Sequence, residues 1–164
     1  MRALEELDLS AGALDGSELE VDILVVEDNG SVRNSILAIL LEFLPDVPVA
    51  SARNGQDALD FLFARGVWSG RAEMVPPKLI LMDLSMPESN GFSVLGQIRS
   101  TESDSALKFT PVVVFSDSQA VADIQESYRR GANSYIVKPL TYAEFQFAVV
   151  VIGQYWMAHN TAFT

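Results

Sequence analysis

The 164-residue sequence contains no cysteine and only one histidine. Without cysteine the chain has neither a disulfide framework nor a thiolate metal site, which excludes disulfide-stabilised secreted scaffolds and zinc-thiolate proteins. The single histidine, His159, lies close to the C-terminus, where we expect it to face solvent. This argues against a protein that itself carries phosphate on histidine.

Long apolar runs and clusters of basic residues are missing as well. The longest apolar run, FAVVVI at 147–152, is much shorter than the roughly 18 residues of a membrane span. The acidic N-terminus lacks the basic and apolar regions of a secretory signal. The formal net charge is −11, whereas proteins that bind nucleic-acid backbones cluster Lys and Arg. We therefore predict a cytoplasmic protein with neither a membrane nor a nucleic acid as its partner.

The sequence does contain a regular alternation of strand and helix patterns. Its length and its composition, 49% hydrophobic and 20% charged, are typical of one folded domain. Short β-branched runs predict buried strands, each followed by apolar residues at helical spacing. The predicted strand–helix pairs are 21–28 with 31–43, 47–52 with 55–66, 78–83 with 91–100, 111–116 with 119–130, and 134–138 with 141–157. Such repetition predicts a doubly wound, five-stranded parallel sheet with five helices.

The predicted domain organisation has three parts. Residues 1–18 form an N-terminal extension, residues 19–157 the repeating α/β unit, and residues 158–164 a short tail. Within the unit, the length and the Gly and Pro content of residues 65–77 predict an elaborated surface loop, in which Trp68 covers the edge of the core.

Polar residues follow the predicted strands at the sheet edge where an open α/β fold binds its ligands. These residues are Glu27, Asp28, Asp83, Ser116 and Lys138. Each of them alone could be a helix cap, a turn residue or a solvated charge. Three carboxylates and one lysine that converge on one edge are not explained by capping alone.

The flavodoxin-like strand order 2-1-3-4-5 specifies which of these residues become neighbours. It places the strand that ends at Asp83 between the strands that carry Asp28 and Ser116, each about 4.8 Å away. Lys138 lies two strands away, roughly 10 Å, which only a long side chain spans. Neighbouring carboxylates repel unless a cation neutralises them, and oxygen ligands with room for water suit Mg²⁺. We therefore predict a Mg²⁺ site with Asp83 as a phosphate-accepting nucleophile.

Four motifs resemble one known family. The chain from about 19 to 157 resembles the receiver domain of two-component response regulators through VVEDN, LILMDLSMPESNGFSVL, VVVFSDS and GANSYIVKP. The resemblance implies that Asp83 accepts phosphate from a histidine kinase. It also implies that the chain is no conventional enzyme, although it takes part in Mg²⁺-dependent phosphotransfer to Asp83 and in its own dephosphorylation.

The resemblance also implies a set of metal ligands. Asp28, Asp83 and the main-chain carbonyl of Ser85 would bind Mg²⁺ directly, while Glu27 would act through water.

Three further residues take part in switching according to the same resemblance. Ser116 would be the switch hydroxyl that moves toward the phosphate, Tyr135 an aromatic rotamer switch, and Lys138 the ion-pair partner of the phosphoryl group. The peptide bond between Lys138 and Pro139 is expected to be cis.

Within the family, the chain is most similar to stand-alone regulators paired with bacterial phytochrome kinases. This narrower likeness rests on GANSYIVKP, the loop at 65–77 and the aromatic pair Tyr155 and Trp156.

The chain departs from the family pattern at Asp117, where a small residue is usual. Its charge could slow phosphorylation, repel an attacking water or cap a helix, and the sequence leaves these alternatives open.

The output of such a chain must be a protein surface. Phe145, Val149, Ile152 and Trp156 form one helical stripe for packing on the sheet. Additional apolar residues fall outside it and predict a homodimer through the fourth helix, the fifth strand and the fifth helix: Phe147, Val150 and Val151. The alternative is that the N-terminal extension, with Leu4, Leu7 and Leu9, folds over that helix. The downstream target is unknown from the sequence.

Three other functions compete with a phosphorylated receiver. A pseudo-receiver would bind its partner without phosphorylation, and Asp117 is the feature that favours it. A Mg²⁺-dependent phosphatase commonly carries a second acid two residues after the nucleophile, where this chain has Ser85. A dinucleotide-binding protein would need a G-x-G-x-x-G turn after the first strand, which EDNGSVRN lacks.

Overall fold

The computed structural model describes residues 7–8, 20–69, 75–87, 89–102 and 105–163. These residues form one parallel sheet whose strand order is β1-β3-β2-β4-β5-β6. The strands are β1 (Leu7–Asp8), β2 (Ile23–Val26), β3 (Val49–Ala52), β4 (Leu79–Met82), β5 (Val112–Ser116) and β6 (Ser134–Val137). The predicted order 2-1-3-4-5 is confirmed by β2 to β6, and β1 adds an edge strand that the sequence did not indicate.

Helices cover both faces of the sheet in the described part of the chain. They are α1 (Gly30–Phe43), α2 (Gly55–Leu62), α3 (Gly91–Arg99), α4 (Val121–Arg129) and α5 (Tyr142–Gln154). Buried side chains of α2 and α3 pack on one face, and those of α1 and α5 on the other. Short 3₁₀ turns occur at Gly66–Trp68 and Ala106–Phe109, and a π turn at Tyr155–His159 extends α5. None of the helices within these described ranges is long and apolar enough to cross a membrane.

Short polar side chains determine where most helices begin. Asn29, Asn54, Asn90 and Thr141 each accept a hydrogen bond of 2.8–3.3 Å from a backbone N–H in the first turn of α1, α2, α3 and α5. Caps of this kind contribute about 1 kcal/mol each. By contrast, α4 begins after Ala120 without a side-chain cap.

The second helix ends earlier than the sequence pattern predicted. The pattern predicted an end at Gly66, but α2 stops at Leu62. The reason is Ala64, whose φ of 50° is left-handed, and a left-handed residue just past the last turn closes a helix. The next residue then continues into the 65–77 loop, where Trp68 is buried and packs edge-on against Phe61 with ring centroids 5.3 Å apart. The predicted role of Trp68 at the core edge is confirmed.

The structure bears on two expectations, one about the N-terminal extension and one about a peptide bond. Leu7 pairs with β3, at the edge of the sheet opposite to β6, and so does not cover the α4–β6–α5 surface. Leu4 and Leu9 lie outside the described residues. The bond before Pro139 is trans, so the expected cis bond is wrong. The two isomers of a bond before proline differ by only about 0.5–1 kcal/mol, which a sequence motif does not decide.

Gly91 allows α3 to start directly against the end of β4. A Cβ at this position would lie 2.8 Å from Asp83 O and 2.9 Å from Leu84 Cα, which are backbone atoms. The first turn of α3 therefore packs on the residue at the centre of the strand-end cluster.

Gly91→Ala should lower the free energy of unfolding by about 1–3 kcal/mol, because the backbone must move to accommodate the methyl group. Gly96→Ala is the matched control in the same helix, since its Cβ would meet only Arg130 Nη1 at 3.9 Å. There the gain in helix propensity should stabilise the protein by about 0.5–1 kcal/mol. Chemical denaturation measures both values. Equal effects of the two substitutions would contradict the packing argument.

Candidate functional site

The candidate site lies at the carboxyl edge of the sheet, where four neighbouring strands end. Glu27 follows β2, Asp83 follows β4, Ser116 is the last residue of β5, and Lys138 follows β6. Backbone hydrogen bonds hold these ends together: Asp83 N–H donates to Val26 O at 3.0 Å, and Lys138 N–H to Ser116 O at 2.8 Å. The central strands are buried on both faces, so the fold determines where these side chains begin.

Three carboxylates meet at the centre of this edge. One oxygen from each of Glu27, Asp28 and Asp83 lies within 4.8 Å of the others. Glu27 and Asp83 are buried, with 2% and 6% of their surfaces exposed, while Asp28 is half-buried. Like charges at this separation repel strongly when water is excluded. The arrangement therefore favours binding of a cation.

Lys138 supplies the one ammonium group in the buried part of the site, among the residues that the structure describes. Its Nζ lies 2.6 Å from Glu27 Oε2 and 3.5 Å from Asp83 Oδ2, and its side chain is buried. The sequence placed Lys138 within reach of Asp83 but did not anticipate that Glu27 would be the closer partner. Two buried carboxylates thus share one lysine, which leaves an excess of negative charge.

The protein environment changes the pKa of Asp83, Glu27 and Lys138. Burial raises the pKa of the Asp83 carboxyl, although Lys138 and the backbone N–H groups of Ser85 and Leu84 partly offset the effect. Burial likewise raises the pKa of Glu27, against the opposing effect of Lys138. For Lys138, burial lowers the pKa, but Glu27, Asp83 and Asp117 together outweigh it and the pKa is raised. Lys138 therefore stays protonated, whereas burial destabilises the charged forms of Glu27 and Asp83.

One buried oxygen at this edge has no partner. Among the described residues, Asp83 Oδ1 is the single buried side-chain nitrogen or oxygen without a hydrogen bond. Buried polar atoms are nearly always paired, so such an atom points to a ligand or a reacting group. Glu27 differs, because Oε2 pairs with Lys138 and Oε1 accepts a hydrogen bond from Asn29 N–H at 3.1 Å. Asp83 rather than Glu27 has an oxygen free for chemistry.

The loop after β5 connects the site to α4 and β6 through Ser118. Its N–H donates to Ser116 Oγ at 3.2 Å, and its carbonyl accepts from the Tyr135 hydroxyl at 2.8 Å. Its own hydroxyl donates to Asp123 Oδ2 at 2.5 Å in the first turn of α4. Ser118 was missed by the sequence reasoning. The only signal was its place in the polar run SDS, which begins with the last residue of a buried strand.

Asp117 lies between these two serines and is exposed. It does not cap α4, which begins after Ala120 without a side-chain cap. One of the three roles that the sequence left open for Asp117 is therefore wrong. Its charge does act on the site, because it contributes to the raised pKa of Lys138.

The match to a family model decides the classification. Residues 23–149 match the model of the response regulator receiver domain, which is more than half of the chain. The chain belongs to this family. The receiver resemblance and the flavodoxin-like fold inferred from the sequence are therefore confirmed, while the roles of individual site residues remain predictions.

Related proteins agree with this classification. The probable methanogenesis regulatory protein FilR2 of Methanothrix harundinacea is 31% identical over 156 residues, which span 93% of this receiver chain and 96% of FilR2. The phosphorylated cyanobacterial phytochrome response regulator RcpA has a TM-score of 0.78 at 32% identity, with 89% of this chain and 100% of that chain covered. The Mn²⁺-bound form of response regulator Rcp1 has a TM-score of 0.76 at 30% identity, with coverages of 87% and 98%. A Rcp1 of Synechocystis is also 30% identical over 135 residues, which span 82% of this chain and 88% of that protein.

Proposed function

We propose that this receiver is a response regulator in which Asp83 accepts a phosphoryl group from a histidine kinase. The observation that supports the proposal is the unpaired Oδ1 of buried Asp83, which lies beside two further carboxylates. The other oxygen of Asp83, Oδ2, is 3.5 Å from the Lys138 ammonium. A carboxylate oxygen at the end of a rigid strand, next to a cation site and a fixed ammonium, suits phosphoryl transfer by positioning and charge stabilisation.

The donor set fits a divalent cation that prefers oxygen ligands, and Mg²⁺ is our proposal. Asp28 and Asp83 would be direct ligands together with the carbonyl of Ser85, which accepts no backbone hydrogen bond from the described residues. Glu27 would act through water, because both of its oxygens already have partners. When bound, the ion would neutralise negative charge on the transferred phosphoryl group. The Mn²⁺-bound form of the relative Rcp1 supports the proposal of a divalent cation in this chain.

The chain's own residues would then stabilise the phosphorylated form. Lys138 would pair with the phosphoryl oxygens, because its Nζ already lies near Asp83 and its flexible stem permits a small shift away from Glu27. Ser116 would donate its hydroxyl hydrogen to another of those oxygens. Since Ser118 joins Ser116 to Tyr135, a movement of the Ser116 hydroxyl would reach the aromatic ring on β6 and the start of α4. This path is the proposed switch.

The proposed input is a phytochrome-type histidine kinase. Support comes from RcpA, a phytochrome response regulator whose structure covers 89% of this chain. Phosphotransfer profiling against the histidine kinases of the same genome tests this partner. The cytoplasmic location and the three-part division at residues 18 and 157 stay predictions from the sequence.

The proposed output surface is a homodimer interface formed by α4, β6 and α5. Phe147 and Val151 are 71% and 45% exposed on α5, one turn apart. On α4, Val121 and Tyr128 are 66% and 50% exposed. Val150 contributes less than the sequence suggested, since it is half-buried and packs partly on the core face below α5. The exposed apolar side chains are the part of this surface that a second copy would cover.

Acetyl phosphate and Mg²⁺ should add one phosphoryl group to the wild-type protein, as measured by intact mass. Asp83→Asn should abolish the addition, and chelation of the metal should do the same. Asp46→Asn is a matched control, because Asp46 is exposed in the loop after α1, at the opposite edge of the sheet. A wild-type protein that gains no mass and does not respond to beryllofluoride would instead be a pseudo-receiver.

Phe147→Glu should weaken the dimer at least about tenfold, because a charge would be buried among apolar side chains. Light scattering at micromolar concentration measures the change from dimer to monomer. Val67→Glu is the control, since Val67 is 74% exposed in the loop after α2, remote from the proposed interface. A wild-type protein that stays monomeric with and without beryllofluoride would contradict the proposed interface.

A further inference from the structure

Asp117 holds an exposed negative charge at the mouth of the phosphoacceptor site. In the register of the sheet, Met82 is level with Val114, so Asp83 is level with Phe115 and Asp117 lies two residues further out. With about 3.3 Å per residue and about 4.8 Å between strands, the backbones of Asp83 and Asp117 are about 8 Å apart. On the other side, Ser116 pairs with Val137, which puts Asp117 level with Lys138.

No described residue neutralises this charge. Asp117 makes no ion pair or side-chain hydrogen bond with the described part of the chain. The nearest ammonium, that of Lys138, is buried and bound to Glu27 and Asp83. The separation of about 8 Å is nevertheless shorter than the Debye length of about 10 Å at 0.1 M salt, so the charge of Asp117 still acts at the site. An anion that approaches Asp83 is therefore repelled first by Asp117 and then by the excess of carboxylates in the site.

We infer that Asp117 biases the site against small phosphoryl donors in proportion to their negative charge. The inference rests on the proposed function and concerns its substrate class. A small free donor brings its full charge to the mouth and has no other contact to offset the repulsion. A phosphoryl group carried by a protein arrives with binding energy from the protein surface, so one unfavourable charge matters less to it.

The chemical step is the same for each small donor. An oxygen of the Asp83 carboxylate forms a new bond to phosphorus in the presence of Mg²⁺. With acetyl phosphate, the bond between phosphorus and the acetyl oxygen breaks and acetate leaves with the electron pair. With phosphoramidate, the P–N bond breaks and ammonia leaves with the three hydrogens its nitrogen already carries. Acetyl phosphate is a dianion at neutral pH, and phosphoramidate has one negative charge less.

The size of the effect follows from Coulomb's law. With the backbone separation of about 8 Å taken as the distance between the Asp117 charge and the donor, and with screening at 0.01 M salt, one unit charge should slow a dianionic donor about fourfold and a singly charged donor about twofold. The Debye length falls from about 30 Å at 0.01 M salt to about 3 Å at 1 M, so both effects should disappear at high salt.

The test compares rates of Asp83 labelling by both donors in low and high salt. Asp117→Asn, which keeps the size of the side chain, should accelerate labelling by acetyl phosphate about fourfold in low salt and leave it unchanged in high salt. Asp117→Glu should keep the wild-type rate because it keeps the charge. Asp46→Asn controls for the general loss of one negative charge.

Several outcomes would overturn the inference while the proposed function stands. These are an unchanged rate in Asp117→Asn, an acceleration that persists in high salt, and an acceleration in Asp117→Ala but not in Asp117→Asn, which would indicate space rather than charge. If neither the wild-type protein nor Asp117→Asn is labelled or binds beryllofluoride, the proposed function itself fails, and the inference fails with it.

Discussion

Two buried carboxylates that share one buried lysine are the constraint on which the rest of this receiver depends. Lys138 pairs with Glu27 at 2.6 Å and reaches Asp83 at 3.5 Å, so it cannot fully neutralise both. Free carboxylates would move apart, but these begin at strands that are hydrogen-bonded to one another and buried on both faces. The close start of α3 at Gly91 further limits movement of the β4 end. The fold thus holds an excess of negative charge that a bound cation would relieve.

The same site has a rigid side and an adjustable side. Glu27 and Asp83 follow the central strands β2 and β4, whose side chains form the core on both faces. Beyond β5, the loop depends instead on the hydrogen bonds of one residue, Ser118, to Ser116, Tyr135 and Asp123. Helix α4 has no side-chain cap, and Ser127 is its one buried residue. A change at Asp83 would therefore act on a loop and a helix that have little buried apolar surface.

Sequence reasoning predicted the features that follow from strand position alone. In a parallel sheet the carboxyl ends of strands share an edge, so the order of strands and helices is enough to bring residues such as Asp28, Asp83 and Lys138 together. It could not rank the partners of Lys138, because a choice between Glu27 and Asp83 depends on side-chain conformation. The end of α2 at Ala64 and the contacts of Ser118 depend on local backbone geometry, which apolar periodicity does not report.

The extra edge strand also escaped the sequence reasoning, for a different reason. Leu7 and Asp8 form too short a run to stand out as a strand, and their pairing depends on the free edge of β3. The proposed role of Asp117 was partly visible in the sequence. Its position was visible in the sequence, yet only the folded chain shows that α4 starts without it and that its charge is left unpaired by the described residues.

The central claim, that excess buried charge at Asp83 holds the site ready for a cation, is tested most directly by thermal unfolding of wild-type protein and Asp83→Asn, with and without Mg²⁺. Without the ion, Asp83→Asn should be more stable than wild type by about 1 kcal/mol, or about 2–4 °C, because one lysine then faces one buried carboxylate. With Mg²⁺, the wild type should gain stability and the variant much less. A variant that is less stable without the ion, or that gains as much as wild type from Mg²⁺, would contradict the account.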